Sequence, residues 1–238
     1  MDLSHRVLVT FDLPDAKPLS PVLAETIAPL DVVVLGHFSV PEQTPLEAAR
    51  DQFEADASTE LEDLAAPIEA TGASVTTRLV FGKNQDETTD RVALEEECDV
   101  ILTPGETEAV DQVLVPLRGE VNISRILSFV AELLAFNDAS VTLFHSGEES
   151  DRIDGEDLLN QATDRLIDEG VDPESITRRI GDQDDAGQRI VELAADYDLL
   201  VIGETEPSLR ERILGAIPIQ ITGDTDAPTF VVRDTDET

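Results

Sequence analysis

The chain has 238 residues, of which 41% are hydrophobic, so it can bury a core in one or two domains and is not a disordered chain. Its 52 acidic residues against 16 basic ones give a net charge of −36, and a field of that sign argues against a nucleic-acid partner. The acids run through every segment. We therefore interpret them as a surface adapted to molar salt, where the Debye length falls to about 3 Å.

The cysteine count and the hydropathy limit the class of protein further. A single cysteine, Cys98, excludes an intramolecular disulfide framework and any thiolate cluster supplied by one chain. The start, Met-Asp-Leu-Ser-His-Arg, lacks the pattern of a signal peptide, and no apolar run approaches the roughly 18 residues of a membrane span. The sequence predicts a cytoplasmic protein with no membrane contact and no metal.

The first half of the chain alternates short apolar runs, typical of buried strands, with longer stretches that have the apolar spacing of helices. The predicted strands are residues 5–12, 31–37, 74–81 and 99–103. The predicted helices between them are 20–29, 44–71 and 86–97. In the long second helix the inward residues are expected to be Leu46, Phe53, Leu61, Leu64 and Ile68.

The second half repeats this order. Its predicted strands are 111–118, 140–145, 176–180 and 198–202, and its helices are 124–136, 155–169 and 185–196. In the second of these helices the inward residues are expected to be Leu158, Leu159, Ala162, Leu166 and Ile167. A further helix begins at Pro207, and a last strand spans 228–233.

A shared tetrapeptide strengthens the repeat, since Gly-Glu-Thr-Glu follows the fourth strand at 105–108 and again at 203–206. Strands that alternate with helices predict a parallel sheet with helices on both faces. We therefore predict two tandem doubly wound α/β units, residues 1–108 and 109–238, of which the first lacks its last helix and strand.

Ligands of open parallel sheets bind outside the carboxyl ends of the strands. In the second unit the residues at those ends are Arg118, Gly119, His145, Gly203, Glu204 and Thr205. His37 and His145 end equivalent strands, and we interpret each as a strand-end histidine with a satisfied hydrogen bond, with ligand contact as the alternative.

Two motifs of the second unit resemble the universal stress protein family: Val-Leu-Val-Pro in the first strand, and Ala-Pro-x-Phe-Val-Val in the last. The resemblance covers both repeats and implies an adenine nucleotide alpha hydrolase-like fold. It also implies that ATP-binding members carry Gly-x2-Gly-x9-Gly-Ser/Thr after strand four and an aspartate after strand one.

This chain departs from that nucleotide pattern. Gly203 matches its first glycine, but Glu206 replaces the second, and Gly215 is a third glycine one residue early. Ala216 then replaces the hydroxyl residue, and Arg118 replaces the strand-one aspartate. In the first unit Asp12 matches that aspartate, but Gly105 is the only glycine of its loop. The resemblance thus implies a degenerate site.

From these observations we predict a non-catalytic stress-response or regulatory protein that acts by binding and assembly. No Gly-x-Ser-x-Gly elbow or Walker loop marks an enzyme. No bound cofactor is predicted; the alternatives are an ATP switch with weak ATPase activity that uses the loop after Gly203, and a site for another anion at Arg118. The partners predicted are a second copy or an intramolecular pseudo-dimer, through the last strand, and an unidentified protein.

Overall fold

The computed structural model describes residues 5–117, 122–146, 155–181, 186–204 and 227–234. The chain divides into two compact units, Met1–Pro104 and Gly105–Thr238. The predicted helix that begins at Pro207 lies outside the described residues.

Unit 1 is a parallel sheet with three crossover helices. Its strands are β1 (Arg6–Leu13), β2 (Asp31–Ser39), β3 (Ser74–Gly82) and β4 (Val100–Thr103), and its helices are α1 (Pro21–Ile27), α2 (Leu46–Glu69) and α3 (Gln85–Glu95). The strand order is β3-β2-β1-β4, and every described pair is parallel. The order reverses between β1 and β4, and in open parallel sheets ligands bind at the carboxyl ends of strands at such a reversal.

Unit 2 repeats the arrangement and adds a fifth strand. Its strands are β5 (Gln112–Pro116), β6 (Ser140–Ser146), β7 (Ile176–Gly181), β8 (Leu199–Gly203) and β9 (Thr229–Val232), and its helices are α4 (Ile123–Ala135), α5 (Gly155–Asp168) and α6 (Ala186–Ala194). The order is β9-β8-β5-β6-β7, again parallel throughout. The predicted doubly wound α/β fold is confirmed.

The central strands are continuous apolar runs because helices cover both faces of each sheet. Val7–Val9 in β1 and Val113–Val115 in β5 are fully buried. Most residues of the outer strands β3 and β7 are exposed or half-buried. Gly72 and Gly170 follow α2 and α5 at φ values of +91° and +100°, a conformation that glycine adopts without strain and that ends a helix.

Three of the predicted inward positions are wrong. Leu46 and Phe53 are 44% and 36% exposed. Both lie on the same face of α2 as the buried Leu61 and Leu64, so the helical period was right, but the first turns of the helix are covered only in part. Ile167 of α5 is exposed because it lies one helical step beyond Leu166, outside the buried stripe.

None of the helices in the described ranges is long and apolar enough to cross a membrane.

We predict that Leu64→Ala lowers the free energy of unfolding by about 2–5 kcal/mol, because it leaves a cavity at a buried position. The matched control is Leu46→Ala in the same helix, which should change the free energy by less than about 0.5 kcal/mol, as for an exposed position. Urea titrations in molar KCl measure both values. Equal losses would contradict the burial pattern of α2.

Candidate functional site

In unit 1 three polar side chains meet at the carboxyl ends of β1 and β2. Asp12 is in register with His37. Ser39 Oγ donates to Asp12 Oδ1 at 2.9 Å and lies 3.4 Å from His37 Nδ1. Asp12 Oδ1 is in turn 3.5 Å from that nitrogen, and the Asp12 side chain is 58% exposed. The cluster fixes one carboxylate at the surface of the sheet edge, beside the crevice.

The imidazole of His37 is enclosed and does not face the solvent. The residue is 1% exposed, and its Nε2 has no hydrogen-bond partner among the described residues. A Cβ at Gly82 would lie 2.8 Å from Nε2 and 3.0 Å from Thr88 Oγ1, so glycine at the end of β3 makes room for the ring. His37 therefore packs between β3 and the start of α3, and its Nδ1 faces the Asp12 carboxylate.

His145, at the equivalent position of unit 2, is held more tightly. Its Nδ1–H donates to the carbonyl oxygen of Leu117 at 2.8 Å, and the residue is buried. A Cβ at Gly155, the first residue of α5, would lie 2.3 Å from His145 Cδ2. The ring is thus clamped between the residue after β5 and the start of α5.

The side chain of Glu204, the residue after β8, contacts the residues that follow β9. The Glu204 carboxylate accepts a hydrogen bond from the backbone N–H of Asp234 at 3.0 Å and lies 3.6 Å from Nε of Arg233. Arg233 is only 7% exposed. The Glu204 N–H also donates to the carbonyl of Val232 at 2.8 Å. Glu204 therefore joins the end of β8 to the end of β9.

Asn122 joins this arrangement from the start of α4. It adopts a φ of +57°, which asparagine tolerates better than most residues, and its carbonyl accepts the first helical hydrogen bonds. Its Nδ2 donates to the Val232 carbonyl at 3.1 Å. Sequence reasoning missed both Asn122 and Arg233; the only signal for Asn122 is that asparagine precedes a predicted helix.

Four of the predicted site residues are described: Asp12 in unit 1, and His145, Gly203 and Glu204 in unit 2. In unit 2, Gly203 and Glu204 lie at the end of β8, and Glu204 contacts Arg233 instead of facing an open crevice. The other predicted positions lie outside the described residues, namely Arg118, Gly119, Thr205, Gly215 and Ala216.

The chemistry of the described side chains is limited. In the described ranges no group of histidine, cysteine, aspartate and glutamate residues could hold a metal ion. Cys98 is buried. Ser39 and Asp12 both approach the same nitrogen of His37, so the three do not have the relay order of a nucleophilic triad, in which the serine and the acid contact different ring nitrogens.

No protein-family model matches this chain, and no curated protein matches it. Solved structures share its fold. A universal stress protein from Archaeoglobus fulgidus DSM 4304 is 14% identical over 99% of this chain and 98% of its own, with a TM-score of 0.66.

Two proteins of Pseudomonas aeruginosa are similar in the same way. One, of unknown function, from strain PAO1, is 14% identical over 98% of this chain and 94% of its own, with a TM-score of 0.55. The other, from strain UCBPP-PA14 and described as a universal stress protein, is 15% identical over 97% of this chain and 94% of its own, with a TM-score of 0.53. At these identities the likeness shows the fold.

We predict that Gly155→Ala lowers the free energy of unfolding by about 1–3 kcal/mol, because the new methyl group overlaps the His145 ring. Adding His145→Ala removes the overlap, so the double variant should be more stable than the sum of the single effects by about 1 kcal/mol or more. Chemical denaturation of the four proteins measures this coupling. The control is Gly155→Ala with the distant His37→Ala, which should be additive.

We predict that Glu204→Ala lowers the free energy of unfolding by about 1–3 kcal/mol, because it removes the carboxylate that faces the buried Arg233. The matched control is Glu169→Ala, which breaks an exposed ion pair with Arg165 and should cost less than about 0.5 kcal/mol. If the two losses are equal in urea titrations, Glu204 does not hold the end of β9.

Proposed function

We propose that this chain is a universal stress protein-like regulator that acts by binding and assembly, and that the nucleotide site of its second unit is degenerate. The likeness of the whole chain to a universal stress protein of Archaeoglobus fulgidus supports this proposal. The sequence resemblance in the first and last strands of unit 2 supports it independently.

The observation that carries the proposal is the position of Glu204. In the ATP-binding members of the family, the loop that begins at the glycine equivalent to Gly203 holds the phosphates. Here a carboxylate follows Gly203 directly and is fixed by Arg233 and the Asp234 N–H. The ion pair with Arg233 and the hydrogen bond from the Asp234 N–H hold the carboxylate in place, and a negative charge at this edge disfavours a phosphate chain. Glu206 adds a second acid where the pattern has glycine.

Assembly is the second part of the proposal. β9 is the last strand in the order of unit 2, and its residues are apolar and buried. We propose that β9 supports either a homodimer or an intramolecular pseudo-dimer.

One observation favours the alternative, a nucleotide or anion switch. Asp12 matches the strand-one aspartate, is exposed, and is oriented by Ser39. A nucleotide in unit 1 would meet this carboxylate at the end of β1, although Gly105 alone supplies a glycine in the loop after β4.

We predict that millimolar ATP with Mg²⁺ leaves the thermal unfolding midpoint unchanged in molar KCl. A ligand present at 100 times its dissociation constant would add about 2.7 kcal/mol to the stability of the native state, which is readily visible. A clear shift would contradict the degenerate site and support the switch.

Variants locate the site if a shift is seen. Asp12→Ala would abolish a response that arises in unit 1, and Gly203→Glu one that arises in unit 2. A shift with other anions that Arg118→Ala removes would support an anion site there instead.

A further inference from the structure

The outer strand of unit 2 is exposed and basic, in a chain that is otherwise acidic. β7 pairs with β6 on one side and is the last strand in the order of its unit. Arg178, Arg179 and Ile180 are exposed, and half of the Ile180 surface is accessible. An edge strand with these properties offers unpaired backbone groups together with positive charge.

In the part of the chain that the structure describes, neither of these two arginines pairs with a carboxylate, whereas five other arginines do. The described arginines that pair with an acid are Arg6, Arg78, Arg91, Arg165 and Arg233. Arg178 donates to the side-chain oxygen of Asn160, a neutral group, and Arg179 has no ion pair in the described part of the chain. Within the described ranges, neither guanidinium of this edge is therefore paired with an acid.

The equivalent strand of unit 1 differs in this respect. Val80 is in register with His37, and Ile180 with His145, so Arg78 and Arg178 occupy the same position of β3 and β7. Arg78 contacts the carboxylate of Glu96. The basic edge is therefore a property of unit 2 and does not follow from the fold.

The placement of the two arginines selects an extended ligand over a small anion. Successive side chains of a strand point to opposite faces, so Arg178 and Arg179 diverge. Arg178 borders a groove of about 470 Å³ whose other lining residues are Glu156, Leu159, Asn160 and Ile180. A strand laid along the edge also sends successive side chains to the two faces, so two adjacent acids on it would meet both guanidinium groups.

We propose that β7 is a docking edge for an extended acidic segment of a partner protein, which adds as a further strand. Backbone hydrogen bonds supply affinity, Arg178 and Arg179 select acids on opposite faces, and the half-exposed Ile180 contacts an apolar neighbour. The proposal rests on the proposed function only in that the chain acts by binding. A nucleotide response would overturn that function without touching β7, and failure at β7 would overturn only this surface.

The probe is a fluorescein-labelled peptide, Thr-Val-Glu-Glu-Val-Thr, titrated with the full chain in molar KCl and followed by fluorescence anisotropy. We expect saturable binding. Arg178→Glu with Arg179→Glu should weaken it at least about tenfold, since both contacts become repulsive. The matched control is Arg91→Glu with Arg165→Glu, which changes the net charge equally on exposed helices and should leave binding unchanged.

Two further peptides separate charge from strand addition. Thr-Val-Gln-Gln-Val-Thr should bind more weakly, and the acidic peptide with an N-methyl group on every peptide nitrogen should not bind, because it cannot donate backbone hydrogen bonds from either edge. Absence of binding to the unaltered chain would overturn the proposal, as would equal binding to the Arg178/Arg179 variant. Undiminished binding of the N-methylated peptide would overturn strand addition. Thermal unfolding of each variant confirms that it is folded.

Discussion

Every functional position in this molecule depends on the burial of its central parallel strands. Val7–Val9 and Val113–Val115 are fully buried because helices cover both faces of each sheet. A parallel ladder needs a crossover helix between consecutive strands, and each crossover returns the chain to the same end of the sheet. The carboxyl ends of the strands therefore gather at one edge, and this is why residues as distant in sequence as Glu204 and Arg233 meet.

The extreme charge of the chain is arranged around this apolar core. Basic residues are few, and one carboxylate serves two of them: Glu96 contacts both Arg6 and Arg78, and Arg6 also pairs with Asp31. Such sharing links the amino ends of β1 and β2 to the end of α3. Within the described ranges Arg50 and Lys83 also lack an ion pair with an acid, but Arg178 and Arg179 lie next to each other on an outer strand, which sets the basic side chains of β7 apart.

Periodicity predicted the fold because burial on the central strands and on α4 and α5 leaves a regular apolar pattern. It failed where burial depends on which other elements cover a helix face, as at Leu46 and Phe53, which have the right period but stay partly exposed. The site was predicted less well. The end of β8 and Asp12 could be found from spacing, but Arg233 and Asn122 acquire their roles only through contacts across the sheet, and no local pattern marks such contacts.

The two units show how one fold can carry different strand-end chemistry. The equivalent histidines are buried in both units. His37 contacts Ser39 and the exposed carboxylate of Asp12, whereas His145 donates a hydrogen bond to the backbone carbonyl of Leu117. At the same edge of unit 2 the acid is Glu204, and it is bound within the protein. Since the core constrains only the apolar positions, the strand ends and outer strands are free to diverge. The two units therefore share their apolar core and differ at the strand ends and in the outer strands.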